Sequence, residues 1–146
     1  MDQRAVSQQR AKTRTLFHAS VLLVLAGSFG LAQELKPFPG SQRDEKASRE
    51  ASQSAPGKDS EVYTTSDGFD KVFAFYKALY KQDTTMPLAG PKLPTGKQVQ
   101  WAFFIIDGGK NLATSKYWMK IQRPYIGGAD GKDMRDVTVI QSVHTK

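Results

Sequence analysis

The chain has 146 residues, a formal net charge of +7 at pH 7 and no cysteine, and 39% of its residues are hydrophobic. This length suits one domain, and the hydrophobic content is typical of a globular protein rather than a membrane bundle or a disordered polymer. The lack of cysteine excludes disulfide scaffolds, thiol nucleophiles and cysteine-ligated metal sites.

The N-terminus has the three regions of a secretory signal peptide. Its leader carries four basic residues: Arg4, Arg10, Lys12 and Arg14. The apolar run Leu16–Ala32 follows, and Gly30 and Ala32 supply the small residues that precede a cleavage site before Gln33. This run is shorter than the about 20 apolar residues that a membrane span needs and is interrupted by glycines. We predict a cleaved signal peptide over residues 1–32, with an uncleaved signal anchor as the alternative.

If the protein is exported, its localisation and its partners can be predicted further. The mature protein would be periplasmic or secreted, with no stable membrane span after cleavage. Much of the positive charge belongs to the leader, so the mature chain is only weakly basic and no nucleic-acid partner is expected.

Residues 33–60 are rich in Ser, Gln, Ala, Pro, Gly and charged residues, with Leu35 and Phe38 as the only large apolar side chains. Such a composition cannot bury enough apolar surface to offset its ordering entropy. The sequence therefore predicts a flexible, disordered linker over residues 33–60, followed by one small domain over residues 61–146. A helix over Asp44–Ala51 is the alternative for part of the linker, but no apolar stripe supports it.

The strongest local pattern of the domain lies in Ser66–Gln82. Apolar residues recur there at spacings of three and four: Phe69, Val72, Phe73, Tyr76, Leu79 and Tyr80. This spacing predicts an amphipathic helix, with Ser66 or Thr65 as its N-cap. Upstream, residues 62–65 are β-prone and predict a short strand.

Three more strands are expected after the helix. The three prolines of Asp83–Gly96 predict a loop, and Val99–Ile106 predicts a buried central strand. Alternation over 117–122 predicts a strand with one inner and one wetter face, and Asp136–Val143 predicts the last strand. The order β-α-β-β-β indicates an α+β fold, with one amphipathic helix packed on an antiparallel sheet of about four strands.

The run from Tyr63 to Lys77 contains Tyr-Thr-Thr-x-Asp followed by Val-x-x-Phe-Tyr-Lys. It resembles a segment of small exported bacterial proteins of unknown function, as do Ser115–Trp118 and Gln122–Ile126. The resemblance implies export and the domain limits, and it implies no catalytic residue. The order of elements is also similar to the cystatin-like architecture, although Gln98–Ala102 matches the Gln-x-Val-x-Gly inhibitor loop only in part and lies within a predicted strand.

No catalytic or metal-ligating constellation is evident. His144, near the C-terminus, is the only histidine beyond the predicted signal peptide, which disfavours a nucleophilic triad and a histidine-based metal site. Asp130, Asp133 and Asp136 are three residues apart, unlike a calcium loop, and are interpreted as turn formers. We therefore expect a protein that is not an enzyme and has no metal and no cofactor. A carboxylate-based enzyme using Asp107 is the least favoured alternative.

One surface is the best candidate for binding. Lys116, Trp118 and Lys120 should project from the same face of a strand, with Arg123 and Tyr125 just beyond. An exposed Trp between cations could receive an anionic or sugar-like ligand; alternatively, Trp118 packs under the proline-rich loop. The sequence hypothesis is an exported, non-enzymatic binding module for a small molecule, a glycan or a protein. The alternative is a cystatin-like inhibitor of an exported hydrolase, acting through the loop at 83–96.

Overall fold

The computed structural model describes residues 34–128 and 130–146. The predicted signal peptide over residues 1–32 lies outside the described residues. The described elements, in chain order, are β1 (Gln42–Arg43), α1 (Glu45–Ser54), β2 (Lys58–Thr65), α2 (Phe69–Lys77), β3 (Lys81–Asp83), β4 (Ala89–Lys92), β5 (Gln98–Ile105), β6 (Tyr117–Arg123), β7 (Tyr125–Gly127), β8 (Asp133–Arg135) and β9 (Thr138–Thr145). Neither helix of these two ranges is long and apolar enough to cross a membrane.

Seven of these strands form one antiparallel sheet in the order β1-β2-β9-β6-β5-β3, and β4 also pairs with β5. Strands β7 and β8 form a separate two-stranded hairpin. The expected fold class, one helix on about four strands, is therefore wrong: within the described residues a second helix, a larger sheet and an extra hairpin are present.

The loop expected over residues 83–96 contributes to this difference. Its first residue, Asp83, ends β3, which pairs with one end of β5, and β4 pairs with the other end through Ala89 and Lys92. Pro91 lies inside β4. A proline is tolerated there because β4 is an edge strand, whose outer backbone groups need no partner in the ladder.

The predicted helix is present but shorter than Ser66–Gln82. Gly68 occupies the N-cap of α2 without a side-chain cap, so the predicted cap at Ser66 or Thr65 is wrong. One side of α2 packs on the sheet surface that we call the α2 face. The fully buried side chains of this core come from α2 and from β5, β6 and β9: Val72, Tyr76, Phe104, Met119, Ile121 and Ile140.

The segment expected to be a disordered linker is, over residues 34–60, part of the folded domain. Phe38 is buried in the α2-face core with its ring 5.3 Å from that of Phe75. The hydroxyl of Tyr80 donates to Glu34 O (2.9 Å) and accepts from Lys36 N (2.8 Å). Few apolar residues suffice here because Phe38 packs into the core that α2 and the sheet form together.

Helix α1 was only an alternative in the sequence analysis because it is held by hydroxyl groups rather than by an apolar stripe. It lies along β2, beyond the short stretch that pairs with β1. Ser48 Oγ accepts from Val62 N (2.9 Å), and Ser52 Oγ accepts from Ser60 N (2.9 Å). These bonds occupy edge groups that could otherwise pair with another chain.

Candidate ligand cleft

The opposite surface of the sheet, which we call the α1 face, is only partly covered. Alternation and register place Val62, Gln141, Lys120 and Phe103 in one row across β2, β9, β6 and β5. Helix α1 stands over one side of this face and the β7–β8 hairpin over one end. Between them lies a cleft of about 470 Å³. Its lining comprises Ala47, Glu50, Ala51, Gln53, Ser54, Val62, Lys120, Gln122, Tyr125, Ile126, Gly127, Gly128, Val139 and Gln141.

An ionic clamp joins the two walls of the cleft. Arg135 Nη2 of the hairpin lies 2.9 Å from Asp44 Oδ2, and its guanidinium lies 4.0 Å from the ring centroid of Tyr125. Asp44 also caps α1, since its Oδ1 accepts from Ala47 N at 2.9 Å. Partial burial acts to raise the pKa of Asp44, but the hydrogen bonds from Ala47 and Arg135 outweigh it and hold that pKa below its ordinary value. The clamp therefore fixes the hairpin against the start of α1.

The hairpin wall also depends on a glycine. The hydroxyl end of the Tyr125 side chain occupies the position where a Cβ on residue 127 would lie. Only Gly127 leaves this space to Tyr125, which is buried against Val62 and Val139. The tyrosine ring thus forms part of the floor of the cleft.

Lys120 is the charged group on the sheet floor of the cleft. Its cross-strand neighbours, Gln141 on β9 and Phe103 on β5, are both uncharged. Among the residues that the structure describes, no carboxylate lies within 4.0 Å of Lys120 Nζ, and no hydrogen bond is made by its side chain. Burial lowers the pKa of Lys120 below its ordinary value. Lys120 is therefore a partly buried cation without a counter-ion from the described chain.

The polar lining also includes three amides, one hydroxyl and one carboxylate: Gln53, Gln122, Gln141, Ser54 and Glu50. Gln122 is buried, and its Nε2 donates to Pro124 O at 3.1 Å, which holds the side chain in place. Gln141 is partly exposed beside Lys120. Glu50 of α1 stands at the rim and pairs with Lys46 at 3.8 Å. The cleft therefore combines an apolar floor with one cation and groups that can donate or accept hydrogen bonds.

Of the five residues predicted to bind a ligand, two line the cleft and three lie outside its lining. Lys120 and Tyr125 both line the cleft. Trp118 lies on the same face, with its ring 6.1 Å from that of Phe103, outside the cleft lining. Lys116 precedes β6 and is exposed.

Arg123 lies on the α2 face. Its Nη1 donates to Asp67 O (3.0 Å) and Thr138 Oγ1 (3.3 Å), and its Nη2 donates to Asp136 O (3.0 Å). The strand β6 continues through Arg123, so alternation turns this residue away from Trp118 and Lys120. Arg123 therefore joins loops on the far side of the sheet.

The tryptophan beneath the proline-rich segment is Trp101, not Trp118. Trp101 Nε1 donates to Pro87 O at 2.7 Å, and Gly90 lies against its indole ring. Sequence reasoning missed Glu50, Ala51 and Gln141 as cleft residues. Only the alternation in the last strand could have indicated Gln141, because the other two lie in the segment interpreted as a linker.

Asp107, the carboxylate of the enzyme alternative, is engaged by four donors. Its oxygens accept from Ser115 Oγ (2.7 Å) and from the backbone N–H groups of Lys116 (2.7 Å), Tyr117 (3.1 Å) and Gly109 (3.1 Å). Burial acts to raise the pKa of Asp107, but these bonds lower it below its ordinary value. This arrangement is typical of a carboxylate that organises a loop, since a general base needs a higher pKa and a free lone pair.

The other candidates for chemistry are separated. His144 is exposed, with its ring 5.2 Å from that of Tyr117. Asp130, Asp133 and Asp136 form ion pairs with Lys132, Arg135 and Lys97 respectively. Within residues 34–128 and 130–146, no three His, Asp or Glu side chains converge as metal ligands.

Comparison with protein-family models, with curated proteins and with solved structures finds no match for this chain.

Proposed function

We propose that this protein is an exported, non-enzymatic binding module that holds a small molecule in the cleft of the α1 face. The observation that carries the proposal is the cleft itself, in which Lys120, Gln122 and Gln141 converge over an apolar floor. Ligand sites in proteins are concave, largely apolar and marked by a few convergent polar groups, and their volumes run from about 300 to 1,000 Å³.

The rigidity of the walls supports the same proposal. The clamp between Asp44 and Arg135 holds the hairpin to α1, and the hydroxyls of Ser48 and Ser52 hold α1 to the sheet. A site whose walls are held in the absence of ligand loses less conformational entropy on binding.

Native mass spectrometry of the protein purified from its own envelope or culture fraction tests both parts of the proposal. We expect a chain beginning at Gln33 that carries a reproducible small-molecule adduct. Replacing Ala51 by Trp should fill the cleft and abolish the adduct. The matched control is Ala74→Trp on the exposed side of α2, which should retain it.

Other results would contradict the proposal. A chain that retains residues 1–32 would indicate an anchored protein. An adduct that survives Ala51→Trp in a folded variant would place the ligand elsewhere, and a clean ligand-free monomer would favour a transient protein partner.

Hydrolase inhibition is a second candidate, favoured by the exposed tip of the proline-rich segment. Met86 and Leu88 are 38% and 44% exposed, on either side of Pro87, whose carbonyl is held by Trp101. Gln98–Ala102 lies inside β5 and not at a hairpin tip, so inhibition would act through Met86 and Leu88. Replacing both by Ser should abolish any inhibition of exported proteases, and a lack of inhibition by the wild type would end this candidate.

A further inference from the structure

We infer that the cleft of the α1 face takes a small monocarboxylate with an apolar body and that Lys120 is the counter-ion of its carboxylate. This inference rests on the proposed function, since it names the class of ligand for the same site.

Lys120 is partly buried, unlike exposed lysines such as Lys92 and Lys116, and it lacks a carboxylate partner among the described residues. Lys71 pairs with Asp67 at 3.0 Å, and Lys97 pairs with Asp136 at 2.8 Å. Lys120 lies in the middle of β6 between two uncharged cross-strand neighbours, and no described carboxylate is within 4.0 Å. A partly desolvated charge without a partner is unfavourable. A ligand anion in the cleft would offset that cost.

The charges of the cleft lining indicate the charge of the ligand. Lys120 is the single basic residue and Glu50 the single acidic residue among the described cleft lining. The N-terminus of α1 offers no further anion site, because the Asp44 carboxylate already caps it. With Lys120 as its cation and Glu50 as an acid at its rim, the cleft suits a ligand that carries a single negative charge. A dianionic phosphate would keep one negative charge without a basic partner in the described lining.

The remaining residues of the lining indicate the chemistry of the rest of the ligand. Beside Lys120, the lining is largely apolar: Ala47, Ala51, Val62, Ile126 and Val139. The amide of Gln141, next to Lys120, makes no side-chain hydrogen bond with the residues that the structure describes. It can donate to the second carboxylate oxygen. A polar end beside an apolar floor fits an amphiphilic acid.

Titration of the full mature chain with matched compounds, followed by amide chemical shifts in NMR spectra, tests the inference. The probes are octanoate, octan-1-ol and octyl phosphate, and the variants are Lys120→Met and Lys116→Met. Octanoate should shift the backbone amide resonances of the cleft residues in the wild type. It should also bind more tightly than either of the other two probes. Its affinity should fall about tenfold to a hundredfold in Lys120→Met, the range expected for a lost charge-assisted hydrogen bond. Lys116→Met should bind octanoate like the wild type.

Several outcomes would overturn the inference, and they separate it from the proposed function. Equal binding of octanoate and octan-1-ol, or tighter binding of octyl phosphate, would leave a binding cleft but reject a monocarboxylate. Equal weakening by Lys116→Met and Lys120→Met would reject Lys120 as the specific counter-ion. If no probe shifts the cleft amides, both the inference and the small-molecule function fail.

Discussion

The two faces of the sheet are covered by helices of opposite character. Helix α2 reads Phe-Asp-Lys-Val-Phe-Ala-Phe-Tyr-Lys and fills its face with aromatic rings. Helix α1 reads Glu-Lys-Ala-Ser-Arg-Glu-Ala-Ser-Gln-Ser and contacts the sheet through alanines and hydroxyls. The large side chains of α2 fill the core between that helix and the sheet, whereas the small side chains of α1 leave a cleft beside Lys120 on the α1 face. A helix that contacts a sheet only through small residues can cover the sheet's edge without filling its surface.

Of the substitutions considered, we expect Phe104→Ala to lower the stability most. Its matched control is Phe103→Ala, since the two residues are adjacent in β5 and point to opposite faces of the sheet. Phe104 is fully buried on the α2 face, and Phe103 is partly exposed on the α1 face. Phe104→Ala should lower the free energy of unfolding by about 3–5 kcal/mol because it creates a cavity in a closed core. Phe103→Ala should cost clearly less. Urea unfolding measures both, and equal losses would contradict the proposed difference between the faces.

The clamp at the cleft should have the next largest effect. Asp44→Ala removes both the cap of α1 and the partner of Arg135, and should cost about 2 kcal/mol. Asp44→Asn keeps a capping side chain and should cost less. Because the pKa of Asp44 is lowered in the folded state, its contribution is present above its unfolded pKa and is lost as pH falls through the folded value.

Urea unfolding of the wild type and both variants between pH 7 and pH 2 checks this prediction. The wild type and Asp44→Asn should converge at the acid end. A difference that stays constant with pH would show that the charge of Asp44 contributes nothing.

The edge of β2 offers a smaller test. Ser48→Ala leaves the buried N–H of Val62 without its acceptor, and should cost about 1–2 kcal/mol. Hydrogen exchange at Val62 should accelerate. The control is Ser54→Ala at the exposed end of α1, whose hydroxyl bonds, among the described residues, only to Ala51 O. Equal effects of the two changes would show that α1 does not protect the sheet edge.

The last substitution, Lys120→Met, should change the free energy of unfolding least and should raise it rather than lower it. Lys120→Met should raise the free energy of unfolding by about 1 kcal/mol because it removes a partly buried charge that lacks a partner. The pKa of Lys120 is lowered in the folded state, so the cost is fully present below that folded value and disappears as pH rises towards the ordinary value of 10.5.

Thermal unfolding of the wild type and Lys120→Met between pH 7 and pH 10.5 measures this effect, with Lys116→Met as the control at an exposed site. The gain should shrink with increasing pH. A destabilised Lys120→Met would show that the lysine has a partner that the described residues do not reveal.

Local sequence patterns predicted some elements well. The expected strand over residues 99–106 is confirmed as β5, and the expected strand over 117–122 is confirmed as β6. Met119 and Ile121 are fully buried, as alternation predicted. These predictions succeed because a strand buried on one face or both carries that burial in its own residues.

Other elements depend on distant partners and could not be predicted locally. Strand β4 contains Pro91, and it forms because it can pair with one end of β5. Helix α1 lacks an apolar stripe, and its bonds are made to β2. The candidate site was predicted only in part for the same reason. Lys120 and Tyr125 were named, but the wall opposite them was assigned to a linker.

By itself, the sequence determined the alternation that buries Met119 and turns Lys120 to the other face, together with the aromatic pattern that makes α2 a core helix. It also predicts export, through the leader over residues 1–32. Only the tertiary structure decided that α1 lies on the edge of β2 and that the hairpin closes one end of the α1 face. Periodicity reports which way a side chain points, whereas a cleft exists only where elements distant in sequence meet without filling the space between them.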